Sequence, residues 1–178
     1  MSTPRDLENP LWAYTLKVYQ YSNFRGWAQT LWHHYGMDSS LLLACGYAAS
    51  QQCLLRKEDF DQILVICREF HEAYQNRLGA LRQKISHDPE MTEALSQTWA
   101  ELLAKTELQA EQVQQASLYS VLGWRPLAGL PQAQSLAKNL KNYAVALGFN
   151  PDRDPRLVAE LQAVEEELCR SGRHDKAR

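Results

Sequence analysis

SSLLLACGYAASQQCLL, residues 39–55, decides the fold. It holds no acid and no base, yet it falls short of the ~20 apolar residues that a membrane span requires. It also carries three serines and two glutamines. A stretch with that composition is best buried by protein, so it reads as the central rod of a helical bundle, capped by Asp38 or Ser39 and running to about Cys53.

Working outward from this rod, Gly and Pro are sparse and fall at boundaries. No stretch shows sustained apolar–polar alternation, so no strand is predicted. Asn9-Pro10 opens a first helix that reaches about Tyr19, since Asn caps and Pro suits the first turn. Ser22 or Asn23 caps a second helix, which Gly36 ends. After the rod, Phe60, Leu64, Cys67, His71, Tyr74, Leu78, Leu81 and Ile85 are spaced alternately four and three apart, a heptad seam predicting one long helix or two nearly collinear ones over 58–86. His87-Asp88-Pro89 makes a turn, and a second long helix follows over about 90–122. Gly123-Trp124-Arg125-Pro126 ends it, and residues 126–131 connect. Leu136, Leu140, Tyr143 and Leu147 stripe a further helix. Asp154-Pro155 opens a last one, striped by Leu157, Leu161, Val164 and Leu168. The predicted fold is all-α: a single-domain bundle of about seven helices over 1–170, built on a long antiparallel helical hairpin, with a disordered tail at 171–178.

Composition excludes several function classes. The 178 residues are about one domain in length. Net charge is −2, and the longest basic run is Arg56-Lys57, so nucleic acid is not an expected partner. Cys45, Cys53, Cys67 and Cys169 form no C-x-x-C pair and read as free thiols in a reducing compartment. The opening MSTPRDLENP has no apolar core of a secretory leader. A cytoplasmic location with no membrane association is expected. Walker A, zincin, nucleophile-elbow and dinucleotide-binding motifs are absent, so neither a cofactor nor a catalytic residue is assigned.

The candidate site lies in KTELQAEQVQQASLY, residues 105–119. On a helical wheel Leu95, Trp99, Leu102, Leu103, Thr106, Ala110, Val113, Ser117 and Val121 fall within one arc, which predicts the buried stripe. Its middle is small, so either a neighbouring helix comes close there or a pocket opens beside Thr106. Glu107 and Gln114 border that stripe, with Glu111 further round. The two glutamates are either a solvated flank or a half-buried acidic patch for a cation, a ligand amine or a partner's arginine. No metal is assigned. Di-metal bundles need Glu-x-x-His, whereas the residues three before His33, His34, His71, His87 and His174 are Thr30, Leu31, Arg68, Lys84 and Ser171. His34 and Asp38 are four apart, but Gly36 between them breaks the helix. His71 occupies a seam position, either as a core histidine bonded to a facing side chain or as a ligand-contacting group. Trp12, Tyr19, Phe24, Trp27, Trp32 and their aromatic neighbours crowd the amino end, as packing against the rod, as an aromatic-lined ligand pocket or as an exposed partner surface.

Three stretches, NPLWAYTLKVYQY, YGMDSSLLLACGYAA and KTELQAEQVQQASLY, together resemble a family of short bacterial helical proteins of uncharacterised function, over roughly residues 9–122. Relatives carry Val-Asn after the Asp where this chain has Ser39 and Ser40. The resemblance implies an all-helical bacterial cytoplasmic protein and brings no activity or catalytic residue.

The functional expectation is a non-enzymatic interaction or regulatory protein acting through helical surfaces, on another protein or on itself. The alternative is a small-molecule- or metal-binding helical protein, or an enzyme, with an acidic pocket around Glu107. Thr106, Glu107, Glu111, Gln114, Asp38 and His71 are the candidate pocket or partner contacts.

Overall fold

The computed structural model describes residues 6–122 and 131–173. The expected stop at 123–126, nearly all of the 126–131 connection, and residues 174–178 of the expected tail lie outside them. Among the described residues all regular structure is helical: α1 (Pro10–Tyr21), α2 (Phe24–Tyr35), α3 (Ser39–Ser50), α4 (Lys57–Phe70), a π-helical turn (His71–Gln75), α5 (Asn76–Ser86), α6 (Glu93–Val121), α7 (Gln132–Ala146), a 3₁₀ turn (Pro151–Arg153) and α8 (Pro155–Arg173). Helix α4, the π turn and α5 run on without a break, so these segments make seven rods around one core. α8 continues past residue 170, through three positions assigned above to the tail.

α3 is the axis of the bundle. Every residue from Ser40 to Ala49 is buried. α1, α2, α6, α7 and α8 all pack on it. Its starting signal is the one read from sequence: the Asp38 carboxylate accepts the backbone N–H groups of Ser40 and Leu41, two donors that the first turn leaves unpaired. Helix α2 stops where expected, at Gly36, whose φ of 65° is the left-handed conformation that glycine adopts without strain.

Two buried polar devices lock the rod in place. Asn139, fully buried on α7, accepts the Leu55 N–H (2.8 Å) and donates to the carbonyls of Cys45 (3.3 Å) and Cys53 (3.1 Å), so the chain leaving α3 is held without regular structure. α2 is tied to α8 near both ends: Glu167 accepts the Asn23 N–H (2.8 Å), and Glu160 meets His34 (2.8 Å).

The long helices depart from the expected burial. Phe60, Cys67 and Phe70 are buried, but Tyr74 and Leu81 are 53% and 39% exposed. The π turn adds one residue to the repeat, which rotates everything after it by about 100° relative to heptad counting. The seam therefore faces the core only up to His71. α6 packs on α4 and α5, with Gln114 opposite Cys67 and Arg82 opposite Glu107. Its predicted buried arc is half wrong: Leu103 and Ser117 are buried, whereas Leu95, Trp99 and Leu102 are 53%, 36% and 52% exposed, and Thr106 is exposed too. Amphipathicity places a stripe on one face, but it cannot say how far along the helix a neighbour extends to cover it.

At Gly46 side chains of α1 and α8 press against the backbone of α3. A Cβ there would collide with the Tyr14 hydroxyl and press on Leu168 Cδ1 at 3.2 Å. Gly46→Ala is expected to destabilise the fold by about 1–3 kcal/mol through overpacking. Urea unfolding of a Gly46→Ala/Tyr14→Phe cycle checks this: the cost of alanine shrinks when the hydroxyl is removed, and equal costs in both backgrounds refute the contact.

Candidate functional site

The candidate site forms where the start of α3 meets the π turn and the middle of α6. Capping makes the Asp38 carboxylate indispensable, and burial at 4% exposure removes it from water. A buried charge has to be compensated by donors. Oδ1 takes the two backbone N–H groups, at 2.7 Å and 3.2 Å. Oδ2 takes Nε2 of Gln114 at 3.0 Å and Nε2 of His71 at 2.5 Å. The Asp38 backbone N–H donates to the Tyr143 hydroxyl at 2.7 Å. A carboxylate is acceptor-only, with about four lone-pair positions, so Asp38 is saturated and His71 Nε2 carries a hydrogen.

Gln114 is saturated as well. Its Nε2 donates to Asp38 and also to Cys67 Sγ (3.4 Å), and its Oε1 accepts the Ser40 hydroxyl (3.1 Å). Its neighbour Gln115 accepts the Thr15 hydroxyl at 2.7 Å and anchors α1 to the same stretch of α6. Burial, followed by the Asp38 charge, pushes the Cys67 thiol far up, which makes it an inert donor–acceptor rather than a nucleophile. Burial, with Asp38 second, likewise raises Tyr143.

The network opens outward at His71. The His71 side chain is 15% exposed, and its Nδ1 has no hydrogen-bond partner among the described residues. The imidazole is sandwiched on one face by Trp32, with ring centroids 4.6 Å apart and planes 20° apart. It borders a cleft of about 410 Å³ walled by Tyr19, Phe24 and Trp32, with Arg25, Ser39 and Glu111 around it. Arg25, Ser39, Gln75 and Glu111 also line an adjoining cavity of about 630 Å³ between α5 and α6, where Glu107 and Lys105 stand. His71 and Trp32 also border a third cavity, about 460 Å³, that reaches Asp38, Cys67 and Tyr143. These sizes fall within the range of small-molecule sites.

The two glutamates part company. Glu107 is a half-exposed ion-pair partner of Arg82 at 2.8 Å. Glu111 is turned into the cleft and accepts the Tyr19 hydroxyl. Burial raises its carboxyl above the ordinary value; the Tyr19 hydrogen bond and Arg25 oppose that shift. The Arg25 guanidinium lies 3.9 Å from the Tyr19 ring centroid, a cation–π arrangement. It has no hydrogen-bonded acceptor among the described residues.

Of the residues singled out from sequence, Asp38, His71 and Gln114 form one network, Glu111 lines the same cleft as His71, and Glu107 borders the adjoining cavity. Thr106 takes no part: its hydroxyl donates to the Leu102 carbonyl of its own helix. Gln114 is not a cavity rim but a buried strut. Tyr19, Phe24 and Trp32, read from sequence as core packing or as an aromatic-lined pocket or partner surface, wall the cleft, whereas Arg25 and Tyr143 were not assigned to a site. Among the described residues no three His, Cys, Asp or Glu side chains converge as a metal ion needs.

The raised Glu111 carboxyl makes a stability prediction with a definite sign. Its proton is held more tightly in the folded state, so the associated stability is present below the unfolded value of about 4.5 and is lost as pH rises through the folded one. Glu111→Gln, which keeps an acceptor for Tyr19, is therefore expected to be at least as stable as the parent at pH 7. Its advantage should vanish in acid. Denaturant titrations across pH check this, and a variant that is destabilised only at pH 7 refutes it.

No curated protein and no solved structure matches this chain. A family model described as "Protein of unknown function (DUF2390)" matches residues 10–118. The matched segment runs from the first residue of α1 nearly to the end of α6 and contains Tyr19, Arg25, Trp32, Asp38, His71, Glu111 and Gln114. The chain belongs to this family of unknown function.

Proposed function

We propose that this chain is a small-molecule-binding helical protein whose site is the aromatic-walled cleft beside His71. One observation carries the reading: the Asp38 network is saturated at Asp38 and Gln114, and an open valence of it, His71 Nδ1, belongs to a ring that borders the cleft. A network serving the fold alone gains nothing from stacking an ionisable ring beneath Trp32 at a cavity edge. A hydrophobic wall with a few convergent polar groups is the ordinary make-up of a ligand site. The site proposed from sequence thus shifts from Glu107 toward Glu111 and His71. Differential scanning fluorimetry against a metabolite panel tests it. Ligands that raise the melting temperature are expected to lose that effect in Trp32→Ala and Arg25→Ala. Hits equally effective on both variants refute the assignment.

The exposed stripe of α6 favours a second reading, self-association. Leu95, Trp99 and Leu102 recur at four and three residues, and lie roughly 100° round the helix from Glu107 and Gln114. α5 carries Arg77, Arg82 and Lys84 and no acid, while the first half of α6 carries Glu93, Glu101 and Glu107 against Lys105. A second copy turned about an axis parallel to these helices sets basic α5 against acidic α6 twice over, as an isologous interface requires. Sedimentation equilibrium is expected to give a dimer for the parent chain and a monomer for Leu102→Glu. A monomeric parent chain refutes this reading.

A further inference from the structure

We infer that His71 and Asp38 form an acid–base dyad, with Asp38 as the positioning residue and His71 Nδ1 as the atom that takes a proton from a small, planar, weakly acidic molecule in the cleft. This rests on reading the cleft as a ligand site. The argument starts from valence. Asp38 Oδ2 already accepts from Gln114, so the 2.5 Å contact to His71 is a hydrogen bond donated by Nε2. An imidazole whose Nε2 holds the hydrogen has its lone pair on Nδ1 when neutral. Asp38 can play this part because its own geometry is fixed elsewhere: two backbone N–H groups at the start of a fully buried helix hold Oδ1. Trp32 sets the tilt of the ring by stacking.

In the proton-transfer step an O–H, N–H or activated C–H bond of the bound molecule breaks, its electron pair stays on that molecule, and an N–H bond forms at Nδ1. The imidazolium so produced lies against the Asp38 carboxylate. The anion so produced shares the cleft with Arg25, which has donors and no hydrogen-bonded acceptor among the described residues. The walls supplied by Tyr19, Phe24 and Trp32 favour a flat ring. The titratable groups that line the two cavities beside the imidazole are Tyr19 on α1, Arg25 on α2, Asp38 before α3, Glu111 on α6, Tyr143 on α7, and Cys67, Arg68 and Glu72 on its own rod.

The test uses the full chain and 5-nitrobenzisoxazole, a planar probe whose ring opens when a base removes its C3 proton: the C–H pair goes into the new nitrile, the N–O bond breaks with its pair to oxygen, and the product is a coloured cyanophenolate. His71→Gln is the control, because its amide still donates to Asp38 but offers no basic nitrogen. The parent chain is expected to open the probe on the order of 100-fold faster than His71→Gln, the usual worth of a positioned base. Long-range ¹H–¹⁵N spectra of labelled histidine are expected to show His71 as the Nε2–H tautomer, with that preference lost in Asp38→Asn. A thermal shift by the probe with no turnover above His71→Gln overturns the dyad and leaves the cleft standing; no shift and no turnover overturn both. An Nδ1–H tautomer overturns the dyad whatever the rate.

Discussion

The structure depends on one buried negative charge. Asp38 begins a helix with no charge of its own, on which five other helices pack, and its side chain is buried, so the carboxylate must be met by protein donors. Two are backbone groups that capping supplies automatically. The other two come from α6 and from the π turn, far away in the chain. Removing either partner would leave a buried acceptor unmet, typically a cost of about 1–3 kcal/mol, and more for a charged group. The requirement to satisfy Asp38 thus sets the register of three segments at once.

The π turn follows the same logic. An extra residue in a helix sacrifices regular hydrogen bonding and persists where something else benefits. Here it begins at His71, whose ring reaches Asp38 on one side and Trp32 on the other. The same insertion turns the following apolar residues away from the core. One local irregularity therefore accounts both for the open histidine and for the exposed flank of the long helices.

The cleft inherits its character from these constraints. Its floor is a saturated polar network, its walls are aromatic, and the charges at its rim are of both signs. Burial raises the Glu111 carboxyl while the Tyr19 hydroxyl and Arg25 oppose that rise, and Arg25 rests on the Tyr19 ring rather than on a carboxylate. The residues that line it lie within the segment that matches the family model.

Local chemistry made much of the fold legible in the sequence. An uncharged stretch too short for a membrane belongs in the centre, Asn9, Asp38 and Asp154 announce helix starts, and Gly36 announces a stop. These depend only on residues a turn or two away. No helix among the described residues is long and apolar enough to cross a membrane. The site was half legible: Asp38, His71, Glu111 and Gln114 each stood out, but as unrelated features, since residues separated by up to 76 positions meet only after packing. What tertiary structure alone decided is which of them touch, that Thr106 stays outside, and that the apolar stripe of α6 is covered at one end and bare at the other. Periodicity records the direction in which a side chain leaves its helix, whereas burial depends on whether another helix reaches that far.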